Sequence, residues 1–348
     1  MKIKYRLIVL IVIQMLLKTI AAQQFTIEQW NVLPDTTGFA GSFAGLINGQ
    51  LVVAGGSNFP GGGAPWLGSK KVWYDQVFLF DNKTATWKKI GNLPQPLGYG
   101  VSVSLPEGLL CIGGSNAAGH SATVLLLELK EGKLYTDTLQ PLPQPLANTC
   151  GALVQNKIYV AGGITAPDAK STSAAFYELD FSKGLKNAKW KTLPAWQGPS
   201  RMLSVAAAVD DFFYLFSGAQ LVNGQRVYLR DAYRFSKRSG WVKIADLPHP
   251  VLAAPSPLLH DKQHIFLLGG DDGSNAGKDL REAHPGFSKQ LLAYDYRKNK
   301  WLVLPAQMNA SFIPVTTTAV LWDGQWMIPG GEIKPGIRTP MVLRILKK

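Results

Sequence analysis

Cysteine is almost absent from this chain of 348 residues, which has only Cys111 and Cys150. Two thiols cannot build a disulfide framework. Both lie in apolar, strand-like runs, Leu109-Leu110-Cys111-Ile112 and Cys150-Gly151-Ala152-Leu153, where buried free thiols are expected. A single bridge between them stays open on sequence grounds. Histidine is also scarce, with five residues and no zinc-ligand spacing. His260 and His264 flank a turn, and His284 stands alone. A copper-radical oxidase would need a Cys–Tyr crosslink and two histidine ligands, which this set does not supply. There is no Gly-x-Ser-x-Gly elbow and no Gly-Lys-Ser/Thr phosphate loop. The stretch from Asp271 to Glu282 has Gly273 and Ala276 where a calcium loop needs an oxygen ligand and a glycine. No metal set is implied. Amphipathic helix patterns are missing throughout, so the chain reads as all-β.

Long apolar runs are missing too, apart from Leu7 to Leu17. Lys2, Lys4 and Arg6 precede that run, and Ala21 and Ala22 follow it, the order of a secretory signal peptide over residues 1–22. The run is about half the roughly 20 residues of a membrane span. No cysteine lies near the expected cut, so a periplasmic or secreted protein without a lipid anchor is expected, with no membrane association after cleavage. Acidic residues are few, 23 against 36 Lys and Arg, for a net charge of +13. Setting aside the four cations of residues 1–22 leaves +9 on the mature chain. The cations are scattered over turns such as Lys298-Asn299-Lys300 rather than gathered on a helix, which argues against nucleic acid and for a small acidic ligand.

Glycine is plentiful, and its placement is periodic. An apolar strand ends in a small–glycine pair six times, at 55–56, 113–114, 162–163, Ser217-Gly218, 269–270 and 330–331. The spacings of 58, 49, 55, 52 and 61 residues are close to the ~50 of a kelch propeller blade. A second mark, an aromatic followed by Leu-Pro, recurs at Trp87 with Leu93-Pro94, Tyr135 with Leu142-Pro143, Trp190 with Leu193-Pro194, Trp241 with Leu247-Pro248, and Trp301 with Leu304-Pro305. Its sixth copy, Trp30 with Leu33-Pro34, precedes the first glycine pair instead of following the last. A ring closed by a strand swap reconciles both facts, with residues 25–33 supplying the outermost strand of the last blade. The expected fold is therefore a six-bladed kelch β-propeller over residues 23–348. Its blades fall at about 39–93, 98–142, 147–193, 201–247, 254–304 and 312–346 plus 25–33. Asn48-Gly49 and Asp323-Gly324 mark tight hairpins between first and second strands.

In four-stranded blades the links between strands one and two, and three and four, lie on one face and are short here. The other face carries long loops at 57–71, 164–173, 219–229, 271–289 and 332–339, so the site belongs where these converge over the channel. The last, from the sixth blade, follows its glycine pair and reads Gly330-Gly331-Glu332-Ile333-Lys334-Pro335-Gly336-Ile337-Arg338-Thr339. Taken alone, its acid and two cations suit either a functional group or an ion pair bracing a loop.

The pattern Gly-Glu-x-Lys-Pro-Gly-x-Arg-Thr after a kelch strand resembles the signature loop of the N-acetylneuraminate epimerase family of six-bladed propellers. Tyr99-Gly100-Val101-Ser102, Asn275-Ala276-Gly277-Lys278-Asp279 and Arg201 at the start of the fourth blade are similar to that family as well. The likeness covers essentially the whole mature chain, in a circularly permuted order that puts the signature loop near the C-terminus. The loop from Asn58 to Trp66 is similar to a permuted, mutarotase-like subgroup, and the first and fifth loops differ from the better-known members. The resemblance implies interconversion of sialic-acid anomers by acid–base ring opening and closure, without cofactor. It implies Glu332 as proton shuttle and Arg338 as carboxylate grip. Arg201 and Lys334 are candidates for added anion binding or for tuning the Glu332 carboxyl, Asn58 and Tyr99 for hydroxyl contacts, and Trp66 for a stacking face. A mutarotase for another sugar, and a non-catalytic glycan- or protein-binding propeller, remain the alternatives on sequence.

Overall fold

A computed structural model describes residues 25–347, and the expected signal peptide at 1–22 lies outside them. The chain forms six antiparallel blades around a central channel. The first blade, typical of the set, has strands Phe43–Ile47, Gln50–Ala54, Gln76–Asp81 and Thr86–Asn92. The hairpin glycines act as expected. Asn48 and Gly49, like Asp323 and Gly324, all take positive φ, the conformation of tight two-residue turns.

Apolar strands such as Leu51-Val52-Val53-Ala54 are continuous rather than alternating because each blade is covered on both sides. Leu51 and Val53 pack toward the sixth blade, and Val52 and Ala54 toward the second. Six buried clusters fill the six blade-to-blade interfaces in this way. The outer tryptophans stitch neighbouring blades: Trp190, Trp241 and Trp301 each donate Nε1 to a carbonyl of the preceding blade's Leu-Pro segment, at Gln140 (3.0 Å), Pro194 (2.9 Å) and Ala245 (2.9 Å).

Both residues of each glycine pair have positive φ. At Gly55 a Cβ would also stand 2.1 Å from the carbonyl oxygen of Leu97, so only glycine fits. Ser217, the single exception, sits at φ 54° and is held by its hydroxyl, which donates to Leu229 O and accepts from Val251 N, both at 2.7 Å. The ring closes through strand Phe25–Val32, which pairs antiparallel with Met341–Lys347. One detail differs from expectation: this strand is not outermost. Ala306–Met308, the link leaving the fifth blade, adds beyond it as a parallel fifth strand. Both cysteines are free and buried, and burial pushes the Cys150 thiol up to about 12.

Candidate active site

The floor of the site is main chain. Gly41, Tyr99, Asn148, Leu203, Ala253 and Thr316, one per blade, all have positive φ, between 52° and 69°. Each N–H donates to the carbonyl of its counterpart in the neighbouring blade, at 2.6–3.0 Å, and Gly41 N donates to Thr316 O, so six main-chain hydrogen bonds close into a ring. With both backbone groups of every member consumed, the floor offers a ligand little, and the chemistry is left to side chains above it. Beneath lies a narrow cavity of about 70 Å³ lined by Ser42, Ser102, Ser204 and other small residues.

Directly above the ring, the residue after each glycine pair bridges to the blade's ring segment. These six equivalent positions hold Ser57, Ser115, Ile164, Ala219, Asp271 and Glu332. Two acids therefore project from adjacent blades into one cavity of about 350 Å³, which is also lined by Phe59, Lys71, Tyr99, Arg226 and Arg338.

Glu332 and Arg338 face each other across a short hairpin, Glu332–Lys334 paired with Ile337–Arg338, turned at Pro335-Gly336. Gly336 N donates to Glu332 Oε1 at 2.6 Å, which fixes the carboxylate. Arg338 Nη1 lies 3.5 Å from the same oxygen. The Arg338 side chain is 3% exposed and that of Glu332 18%. Arg338 Nη2 donates to Tyr99 Oη at 3.3 Å, and the guanidinium stacks on Phe59 at 4.8 Å. Its Nε and Nη1 have no hydrogen-bond partner. A buried guanidinium left with open donors is costly unless an anion completes it.

Tyr99 organises this cationic end. Its hydroxyl also meets Ser57 Oγ at 2.9 Å and accepts from Lys71 Nζ at 3.4 Å. Sequence reasoning did not single out Lys71 as a site residue, because a lysine in a glycine-rich loop carries no distinguishing pattern. The adjoining wall is built by Asp271 and the hairpin Ala219–Val222 with Gln225–Tyr228. Asp271 Oδ2 accepts from Tyr228 Oη at 2.8 Å, and Oδ1 accepts from Gly273 N at 3.0 Å. Burial and then the Asp271 charge push the Tyr228 hydroxyl up to about 12.

Four other candidates lie outside this cavity. Arg201 is fully buried in the fourth blade. It pairs with Asp231 Oδ2 at 2.6 Å, donates to the carbonyls of Ser217, Asp231 and Pro199, and sits between Trp196 and Tyr233. All three guanidinium nitrogens are engaged within the blade and the side chain is fully buried, so it holds the blade together rather than lining the cavity. Asn58 is also buried, tying Asp35, Gly38 and Tyr74 together beneath the first loop. Trp66 and Lys334 both reach Glu282, through its carboxylate and its carbonyl oxygen respectively. They link the loops of blades one, five and six into a roof beside the cavity. That contact, more than the neighbouring charges, holds the Glu282 carboxyl below its usual range.

Fold and site together define a kelch-type propeller with an acid–arginine pocket on its loop-rich face. Residues 18–136 and 139–283 match the model described as N-acetylneuraminate epimerase, and the chain belongs to that family. Proteins named N-acetylneuraminate epimerase are similar to it: one from Haemophilus influenzae is 35% identical over 231 residues, covering 58% of this chain and 57% of that protein. One from Yersinia pestis is 35% identical over 133 residues, a third of each chain (33%). One from Salmonella arizonae is 39% identical over 109 residues, covering 29% and 28%. The chain thus spans from under a third to just over half the length of these relatives. The family match ends at residue 283, before the sixth blade, so the case for Glu332 and Arg338 rests on their geometry.

Proposed function

We propose that this protein is an isomerase that interconverts the α and β anomers of N-acetylneuraminate by acid–base ring opening and closure. The observation that carries the reading is Arg338, a nearly buried guanidinium set 3.5 Å from the Glu332 carboxylate, with both residues lining one cavity of about 350 Å³. In free sialic acid the anomeric carbon bears both a hydroxyl and a carboxylate. Arg338 grips that carboxylate through two parallel hydrogen bonds, with Lys71 adding charge on the same side. The grip brings the anomeric hydroxyl to Glu332, whose carboxylate Gly336 N holds in place. Glu332 takes the hydroxyl proton as the ring carbon–oxygen bond breaks, and returns a proton to the ring oxygen. Such acid–base help is worth ~10²–10⁴ in rate. The signal-peptide pattern of residues 1–22 supports a reaction outside the cytoplasm.

The test is proton NMR of freshly released α-sialic acid, with wild type and Glu332→Gln. Conversion to the β anomer faster than the spontaneous rate, and largely lost in the variant, is expected. A wild type that leaves the spontaneous rate unchanged while broadening the ligand signals would make the protein a sialic-acid binder. Absence of both effects would reject the substrate.

A further inference from the structure

We propose that Asp271 is a second proton-transfer carboxylate of this site, serving the face of the anomeric centre opposite Glu332, with Tyr228 as its positioning residue. The inference rests on the epimerase reading above.

Its first support is the near-sixfold repeat. Asp271 and Glu332 occupy the same structural position in adjacent blades, each following a glycine pair and each bridged to the ring beneath. In the other four blades that position holds Ser57, Ser115, Ile164 and Ala219. The fold therefore makes the same bridge with serine, isoleucine or alanine and has no need of an acid there. The only two acids in the set stand side by side, and both line the same cavity.

The second support is how Asp271 is held. Both oxygens accept a hydrogen bond, from Tyr228 Oη and from Gly273 N, which fixes the rotamer. Gly273 at φ 79° packs against the Tyr228 ring, where a Cβ would come within 2.9 Å of it. Tyr228 arrives on a separate two-stranded hairpin from the fourth blade. An exposed turn needs no such buttress from another blade.

The third support is the chemistry. In opening, Glu332 removes the anomeric hydroxyl proton and the carbonyl forms. The ring carbon–oxygen bond breaks with its electron pair going to the ring oxygen, which regains the proton from Glu332. Rotation about the adjacent carbon–carbon bond then turns the carbonyl's other face toward the chain hydroxyl. In closure that hydroxyl adds to the carbonyl, gives its proton to Asp271, and the new anomeric oxygen takes the proton back. Each carboxylate ends as it began, and no oxidant or other reactant is consumed. With the substrate carboxylate anchored at Arg338, the two faces point to different walls, so one fixed shuttle serves one face better than the other.

The experiment is saturation kinetics of anomer exchange by NMR for wild type, Asp271→Asn, Tyr228→Phe and Asp271→Ala, the last with and without added formate. Asp271→Asn keeps an acceptor for Gly273 N but cannot shuttle a proton. We expect it to lower kcat about 10- to 100-fold, with KM changed less than about threefold and the unfolding midpoint preserved. Formate should restore Asp271→Ala about fivefold or more, and Tyr228→Phe should lose kcat while responding weakly to formate. Should Asp271→Ala fail to fold, the kcat and KM of Asp271→Asn decide. A wild-type kcat in Asp271→Asn, a change in KM alone, or a folded Asp271→Ala deaf to formate would overturn the proposal while leaving Glu332 in place. No acceleration by wild type would overturn both readings together.

Discussion

Replacing Arg338 by Met separates binding from folding in a way few changes to this protein can. Methionine has a similar reach and no charge. If Arg338 grips a carboxylate with two charge-assisted hydrogen bonds, each contributes about 1.5–3 kcal/mol. Losing both costs ~3–6 kcal/mol, or roughly 10²- to 10⁴-fold in KM. Stability should respond differently. The guanidinium is buried with two unsatisfied nitrogens, so in the free protein its contacts with Glu332, Tyr99 and Phe59 are largely offset by the cost of burying it. Glu332 keeps Gly336 N as a donor after the change. The net effect on unfolding should stay within about 1 kcal/mol, a midpoint shift of no more than roughly 4 °C for a chain this long. NMR exchange kinetics across substrate concentration give KM, and calorimetry gives the midpoint. An unchanged KM for the acidic sugar, or a collapse in stability without ligand, would refute the reasoning.

Arg201→Met should behave in the opposite way: it removes the cation paired with Asp231 and leaves that carboxylate only the Tyr233 hydroxyl, so a loss of about 3–5 kcal/mol is expected by chemical denaturation, with KM of any folded fraction unchanged. Ile27→Asp puts an unpaired charge at a fully buried position of the closing strand, and circular dichroism should show loss of the cooperative fold at about 37 °C. The roof contact has a pH sign. The Glu282 carboxyl is held below its ordinary range by Trp66, so the contact contributes above the ordinary glutamate pKa and is lost as pH falls through the depressed one. KM should therefore rise on the acid side in wild type and be flat there in Glu282→Gln, as read by the same NMR assay.

The architecture was legible because its marks are backbone requirements. Paired positive-φ positions call for glycine, and the displaced Trp30 with Leu33-Pro34 pointed to the closing strand. Ala306–Met308 escaped notice because three residues that simply extend the link after Leu304-Pro305 carry no pattern. Within the site, the hairpin from Glu332 to Arg338 was readable since acid, turn and arginine are contiguous. Arg201 misled because its partner, Asp231, lies 30 residues away on another strand, so its charge looked unspent. Tyr99 stood out by resemblance, but its five ring partners include Asn, Leu, Ala and Thr, and a ring built from main chain leaves no residue type to recognise. Asp271 carried a usable signal, its place directly after a glycine pair, which emerges only when the blades are aligned with one another.

That peptide ring also bears on how such a site can change over time. Its members are joined by groups every residue possesses, so substitutions above it need not disturb the platform, and the six post-glycine positions act as interchangeable sockets. An acid placed in the socket of Ile164 or Ala219 would start from the equivalent bridge to the ring, on another blade around the axis. New specificities can thus arise by rotating a charge pattern around a fixed axis, with no change in the scaffold that presents it.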